Sequence, residues 1–179
     1  MNSIFPEHFL RICILADEGV GKHILLRDQI KCLSPFKEDH MRTIGVQIVS
    51  KDIIINKKSI KISFFMLGMK DYFSPFYRTY CLGADGAIIM YDITNSKTLE
   101  RISEWVQLLR KSAGNIPIML VGNKVDLKSR EITTEEAIKT NDKFDLSGFY
   151  EISAKTGANV EEMFRKVVKL TLSNRGIVH

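Results

Sequence analysis

Apolar residues fall into short unbroken runs separated by stretches where they return every three or four positions, and the two patterns alternate along the chain. Residues 87–91 and 117–121, and residues 9–15 apart from Arg11, are runs of strand length. They are too continuous for a sheet with one wet face, so they predict strands covered on both sides. Leu99, Ile102, Val106 and Leu109 recur at helical spacing, as do Val160, Met163, Phe164, Val167 and Leu170 near the end; each set forms one stripe to lie on a sheet. Trp105, in the first of these helices, is expected to pack at an edge. Residues 22–30 read as a helix entered from the first strand, 134–141 as a short helix and 149–152 as the last strand. Residues 47–55 and 59–66 are β-rich and joined by Asn56-Lys57-Lys58, and the alternation of Ile60, Ile62 and Phe64 fits the second arm of an antiparallel hairpin. The whole predicts an α/β fold with a six-stranded, mostly parallel sheet and helices on both faces.

No linker, internal repeat or low-complexity tract divides the pattern, so a single domain is expected over residues 1–179 with its core at about 9–172. A chain of this length that is 45% hydrophobic and 26% charged can bury one well-formed core. Its apolar runs fall far short of the ~20 residues a membrane-spanning helix needs. Residues 1–7 lack the basic start and apolar stretch of a secretory signal, which predicts a cytosolic protein. Cys13, Cys32 and Cys81 have no metal-ligand spacing and are expected to be reduced, packed thiols. The net charge of +5 is scattered: Lys57, Lys58 and Lys61 surround the hairpin, and Arg165, Lys166 and Lys169 lie on the last helix. Both groups read as solvated faces, and no nucleic-acid surface is expected.

Directly after the first strand stands Ala16-Asp17-Glu18-Gly19-Val20-Gly21-Lys22. At a strand-to-helix turn the amides of Gly19, Val20, Gly21 and Lys22 would point into one concavity, helix polarity would favour an anion there, and the Lys22 ammonium would add a point charge to a nucleotide's β- and γ-phosphates. Two residues depart from the G-x-x-x-x-G-K-[ST] pattern. Ala16 replaces its first glycine, at a cost of about 1 kcal/mol if that position needs positive φ. His23 replaces the hydroxyl that coordinates magnesium, for which imidazole is a poor substitute, and is expected to cap or pack at the helix start.

Together with Thr43-Ile44-Gly45-Val46, Gly83-Ala84-Asp85-Gly86, Tyr91-Asp92-Ile93-Thr94, Val121-Gly122-Asn123-Lys124-Val125-Asp126 and Ser153-Ala154-Lys155, this loop resembles the Ras superfamily of small GTPases, most closely its Rab-like members. The resemblance implies a P-loop NTPase small G domain that binds GTP or GDP. Carried over residue by residue, Asp126 would accept hydrogen bonds from the guanine ring N–H and amino group, whereas adenine would leave it an unpaired acceptor. Asn123 and the N–H of Ala154, in the Ser153-Ala154-Lys155 segment, would address the other edge of the base. The stem of Lys124 would cover one face of the purine, and Phe36, placed relative to Thr43 as in the family, the opposite face. Lys155 would brace the loop.

The hydrolytic half departs from the family. Thr43 matches the switch threonine that binds magnesium and senses the γ-phosphate. Where the family has Asp-Thr-Ala-Gly-Gln this chain has Met66-Leu67-Gly68-Met69-Lys70, so Met66 replaces the carboxylate that holds magnesium's water shell. A one-residue slip puts Phe65 and Met69 at the acidic and glutamine positions and restores neither. Met66 could simply extend the strand's apolar core. Lys70 stands at the glutamine position and has no acceptor with which to orient the attacking water, and Glu18 adds a carboxylate beside the γ-phosphate. Intrinsic turnover in the family is already slow, about 10⁻⁴ s⁻¹ for a Ras-type protein. The expectation is nucleotide binding with weak or absent hydrolysis and a doubtful magnesium site; a separate, sharper reading has Lys70 or His23 replace part of the cation's charge, against a Lys70 that simply faces solvent. The alternatives are a slow GTPase completed by an activating partner and a scaffold that binds no nucleotide. Effector or regulator proteins would dock through residues 36–48 and 66–80. The chain ends Ser173-Asn174-Arg175-Gly176-Ile177-Val178-His179 without a prenylation cysteine, so no intrinsic anchor is expected and membrane contact would come through partners.

Overall fold

The computed structural model describes residues 6–30, 42–43, 46–55, 58–68 and 74–177. The continuous apolar runs form the middle of a sheet: β1 (His8–Ala16), β5 (Gly86–Asp92) and β6 (Ile118–Asn123). Every residue of β5 and β6 is buried, as expected of strands covered by helices on both faces. Around them lie β2 (Arg42–Thr43), β3 (Val46–Ile55), β4 (Lys58–Gly68) and β7 (Gly148–Ile152). The order across the sheet is β2-β3-β4-β1-β5-β6-β7. β3 is antiparallel to β2 and β4, and the remaining pairs are parallel. The six predicted strands are therefore all present. The additional β2 is a two-residue strand at the edge, too short to leave a period in the sequence.

Alternation along β1 sends side chains to two separate cores. Ile12, Ile14 and Ala16 pack with the last helix, α6 (Val160–Asn174), and with Leu25 and Leu26. Cys13 and Leu15 face α2 (Ser74–Cys81), α4 (Ile102–Ala113) and α5 (Thr134–Lys143). Cys13 and Cys81 are buried free thiols, as expected of packing residues; Cys32 lies outside the described residues.

Three details differ from the sequence expectation. The helix over residues 22–30 is α-helical only in α1 (Lys22–Ile24) and continues as a π-helical segment, Leu25–Ile30, a rare geometry that often marks functional sites. The helix carrying Leu99 is split into α3 (Ser96–Glu100) and α4 by Arg101. Trp105 is not an edge residue: it is buried in the second core, its ring 6.1 Å from that of Tyr77 on α2.

One glycine records close packing. A Cβ on Gly86 would stand 2.3 Å from Thr171 Oγ1, so β5 and α6 approach only because position 86 has no side chain. No helix among the described residues is long and apolar enough to cross a membrane.

Candidate functional site

The parallel strands deliver their following loops to one end of the sheet, where ligands bind in open α/β folds. After β1 the chain turns through Gly19 and Gly21, both at positive φ (+79° and +101°), and Gly21 caps α1. Ala16 is the last residue of β1 and is not among the positive-φ residues, so the methyl group there carries no backbone cost. Lys22 is buried, and its Nζ donates to the Asp17 carbonyl at 3.2 Å. Burial holds the Lys22 pKa below its ordinary value, with Glu18 and then Asp17 acting in the opposite sense. The loop thus keeps a buried ammonium tethered to its own main chain.

Asn123, at the end of β6, is 2% exposed. Its Nδ2 donates to the Val20 carbonyl at 2.7 Å, and its Oδ1 accepts from the Ala154 N–H at 2.9 Å. A Cβ on Gly21 would fall 2.4 Å from Asn123 Nδ2, so the phosphate loop and the loop after β6 are in contact. Next in the chain, Lys124 adopts positive φ (+76°) and pairs with Asp92 Oδ2 at 2.5 Å. Asp92 is itself fixed, its Oδ1 accepting from Thr94 N at 2.9 Å and Thr94 Oγ1 at 2.7 Å.

Asp126 is exposed, with Oδ1 accepting from Ser153 Oγ at 2.6 Å. Ser153 Oγ in turn accepts from the Thr156 N–H at 3.0 Å. The Ser153 hydroxyl, chiefly, holds the Asp126 carboxyl below the usual carboxylate range, and Lys155 and Lys124 add to the effect. Lys155 is exposed, so its part is electrostatic. The Ala154 N–H is taken up by Asn123, which leaves the ionised Asp126 carboxylate and the Lys124 stem, in the loop after β6, as the groups there with polar or apolar surface to offer. The chemistry of these groups is compatible with a guanine nucleotide: donors on a base edge would suit the Asp126 carboxylate, and phosphates would suit the loop amides and Lys22.

These contacts join Val20 and Gly21 to Asn123 and Asn123 to Ala154; Gly19 and Lys22 belong to the same loop and helix start as Val20 and Gly21, and Ser153 binds Asp126. His23 is exposed at the second residue of α1. Thr43 lies in β2 opposite Val46. Phe36, Met69 and Lys70 lie outside the described residues. Met66 sits in β4 beside Ile14, is 2% exposed, and belongs to the same apolar cluster as Ala16, Val20 and Leu25. Neither an exposed imidazole nor a buried thioether is an oxygen donor, so positions 23 and 66 do not suit a hard octahedral cation.

The arrangement has counterparts among known proteins. A profile of the Ras family matches residues 11–173. The chain belongs to the Ras family. This Ras-family chain is similar to the Ras-related protein Rab-2B of Dictyostelium discoideum, with 36% identity over 179 residues, covering 96% of this chain and 87% of the relative. It is also similar to the GTP-binding protein ypt3 of Schizosaccharomyces pombe (35% over 164 residues; 90% and 75% covered) and to Rab-4B of Homo sapiens (34% over 169 residues; 93% and 78% covered). It is a Rab-like member of the family, and the six long strands are those of a Ras-like domain.

Sequence reasoning missed the bracing role of Asp92 and the approach of Arg101 to Asp17. Asp92 had a signal, since it ends a buried strand and stands directly beside Asn123 in the sheet register. Arg101 had none, being one arginine on an amphipathic helix.

Proposed function

We propose that this chain is a guanine-nucleotide-binding module or degenerate switch that recruits protein partners, with weak or absent GTP hydrolysis and little dependence on magnesium. The observation that carries the binding half is the double hydrogen bond of Asn123, which joins the phosphate loop through Val20 to the base loop through Ala154. GTP or GDP would lie with its phosphates over Gly19 to Lys22 and its base against Asp126, and one relative, ypt3, is by name a GTP-binding protein.

The hydrolytic half is argued from Met66. With Met66 and Leu67 buried and apolar near the end of β4, position 66 offers no carboxylate to hold magnesium's water, and Lys70 offers no acceptor to the attacking one. Without differential contacts to the γ-phosphate, GTP and GDP would stabilise similar states. Partners would dock through residues 36–48 and 66–80. Support for that face comes from Phe76 of α2, 57% exposed, and from half-buried Ile48 and Phe65, the latter with the Arg11 guanidinium 4.4 Å from its ring centre. The protein would reside in the cytoplasm and meet membranes through those partners.

Extraction of the purified protein and chromatography of the supernatant is expected to yield GDP or GTP, and multiple-turnover phosphate release is expected to stay at the buffer background. An empty extract with no heat on titrating guanosine diphosphate would leave only a scaffold. Phosphate released over many turnovers would establish a slow GTPase instead.

A further inference from the structure

Asp17 belongs to the phosphate loop by sequence, yet its side chain lies against the helix pair on the second core. Its Oδ2 is 3.6 Å from Arg101 Nε, and the side chain is only 13% exposed. The other oxygen, Oδ1, is buried and lacks a hydrogen-bond partner. Burial raises the Asp17 pKa, and Arg101 is the leading charge that favours the ionised form, with Lys22 contributing less and Glu104 opposing. The Trp105 side chain also favours the ionised form, by more than Lys22 does.

Arg101 is fixed from its own side. It is the single residue between α3 and α4 (φ −78°, ψ −5°), and its guanidinium also reaches Glu104 Oε2 at 3.2 Å. On the opposite side, the Asp17 carbonyl is the acceptor that holds Lys22 Nζ at 3.2 Å. Asp17 therefore links the ammonium, through its main chain, to the α3–α4 break, through its carboxylate.

We propose that Arg101 is a positioning residue of the nucleotide site: by pairing with Asp17 it fixes the carbonyl that places the Lys22 ammonium. The proposal rests on the nucleotide-binding reading given above. Removing Arg101 leaves a mostly buried carboxylate uncompensated. The loop then relaxes toward water, or the carboxylate takes a proton, and the resting place of Lys22 shifts in either case. Arg101 is itself 37% exposed, which weakens the pair through solvent screening. The effect is modest for that reason.

Release of fluorescent GDP tests this with Arg101→Ala, Arg101→Lys, Asp17→Asn and the double variant Arg101→Ala/Asp17→Asn, each accompanied by thermal unfolding. Arg101→Ala is expected to release GDP roughly three- to tenfold faster, with Arg101→Lys closer to wild type. Asp17→Asn in the Arg101→Ala background is expected to bring release back toward wild type, because the amide carries no charge to strand. A purely structural arginine would give no such rescue, and its release rates would follow the unfolding temperatures. Wild-type release from Arg101→Ala, or failure of Asp17→Asn to restore it, overturns the proposal. Should Arg101→Ala fail to fold, Arg101→Gln against Arg101→Lys reads the same charge dependence. Absence of GDP binding by the wild-type chain overturns the nucleotide reading, and this proposal with it, before any variant is compared.

Discussion

Asn123 donates from Nδ2 to the carbonyl of Val20 at 2.7 Å, joining the end of β6 to the loop after β1 across 103 residues of sequence. Since its Oδ1 also accepts from Ala154, truncation strands two buried backbone groups, each at about 1–3 kcal/mol. Asn123→Ala is expected to lower the unfolding free energy by about 2–4 kcal/mol and to remove detectable GDP binding. Urea unfolding and calorimetry check both. An alanine variant as stable as its parent would mean that these bonds do not hold the loops together.

Gly19 and Gly21 separate backbone strain from contact. A Cβ at Gly19 (φ +79°) meets nothing within 4 Å, whereas one at Gly21 (φ +101°) meets Asn123 Nδ2 at 2.4 Å. Gly19→Ala should therefore cost only the left-handed conformation, about 1–2 kcal/mol. Gly21→Ala adds a displacement of the side chain that braces both loops, so its loss of GDP affinity should be distinctly larger. Equal affinities for the two variants would contradict the contact between Gly21 and Asn123.

The sequence was most legible where one residue type admits one environment. The runs at 87–91 and 117–121 could only be strands covered on both faces, and an Asn-Lys-Val-Asp set after such a strand could only stand at the sheet's ligand end. Relationships between distant polar residues were not legible. Nothing in residues 96–113 distinguishes Arg101 from Arg110, although Arg101, at the break between α3 and α4, is the one of the two that brings its guanidinium to Asp17. Trp105 was misplaced because its cover, Tyr77, comes from α2, a helix whose eight residues carried no readable stripe. The π-helical segment after Ile24 was hidden because buried Leu25 and Leu26 fit an α-helical reading equally well.

Lys22 sets a pH dependence. Burial holds its pKa below 10.5 in the nucleotide-free chain, and bound phosphates would favour the charged form and raise it again. Between the lowered and the restored pKa, binding must therefore take up a proton, and affinity falls as pH rises through that window. Below the lowered pKa the ammonium is already charged and the slope vanishes. GDP affinity is expected to decline as pH rises through the window between the lowered and the restored lysine pKa in the parent and to stay flatter in Lys22→Arg, whose guanidinium does not titrate there. Calorimetry in buffers of differing ionisation enthalpy measures the proton uptake directly. A flat parent profile without proton uptake would exclude a role for the Lys22 ammonium.

Met66 allows the missing magnesium chemistry to be restored and read. Its side chain lies in the apolar cluster of Ala16, Val20 and Leu25, so Met66→Asp alone places an unpaired carboxylate there and should destabilise the nucleotide-free chain by about 3 kcal/mol or more. A divalent cation held beside bound nucleotide would relieve that charge, and a hydroxyl at position 23 would supply the second oxygen. The double variant His23→Thr/Met66→Asp should thus be less stable than the parent when metal-free and should recover stability on adding magnesium with GDP. Its GDP release should accelerate on chelation, while release from the parent should be unchanged by chelator. Faster release from the chelated parent would show that other groups already hold the cation, and the two substitutions at positions 23 and 66 would then no longer account for a metal-independent site.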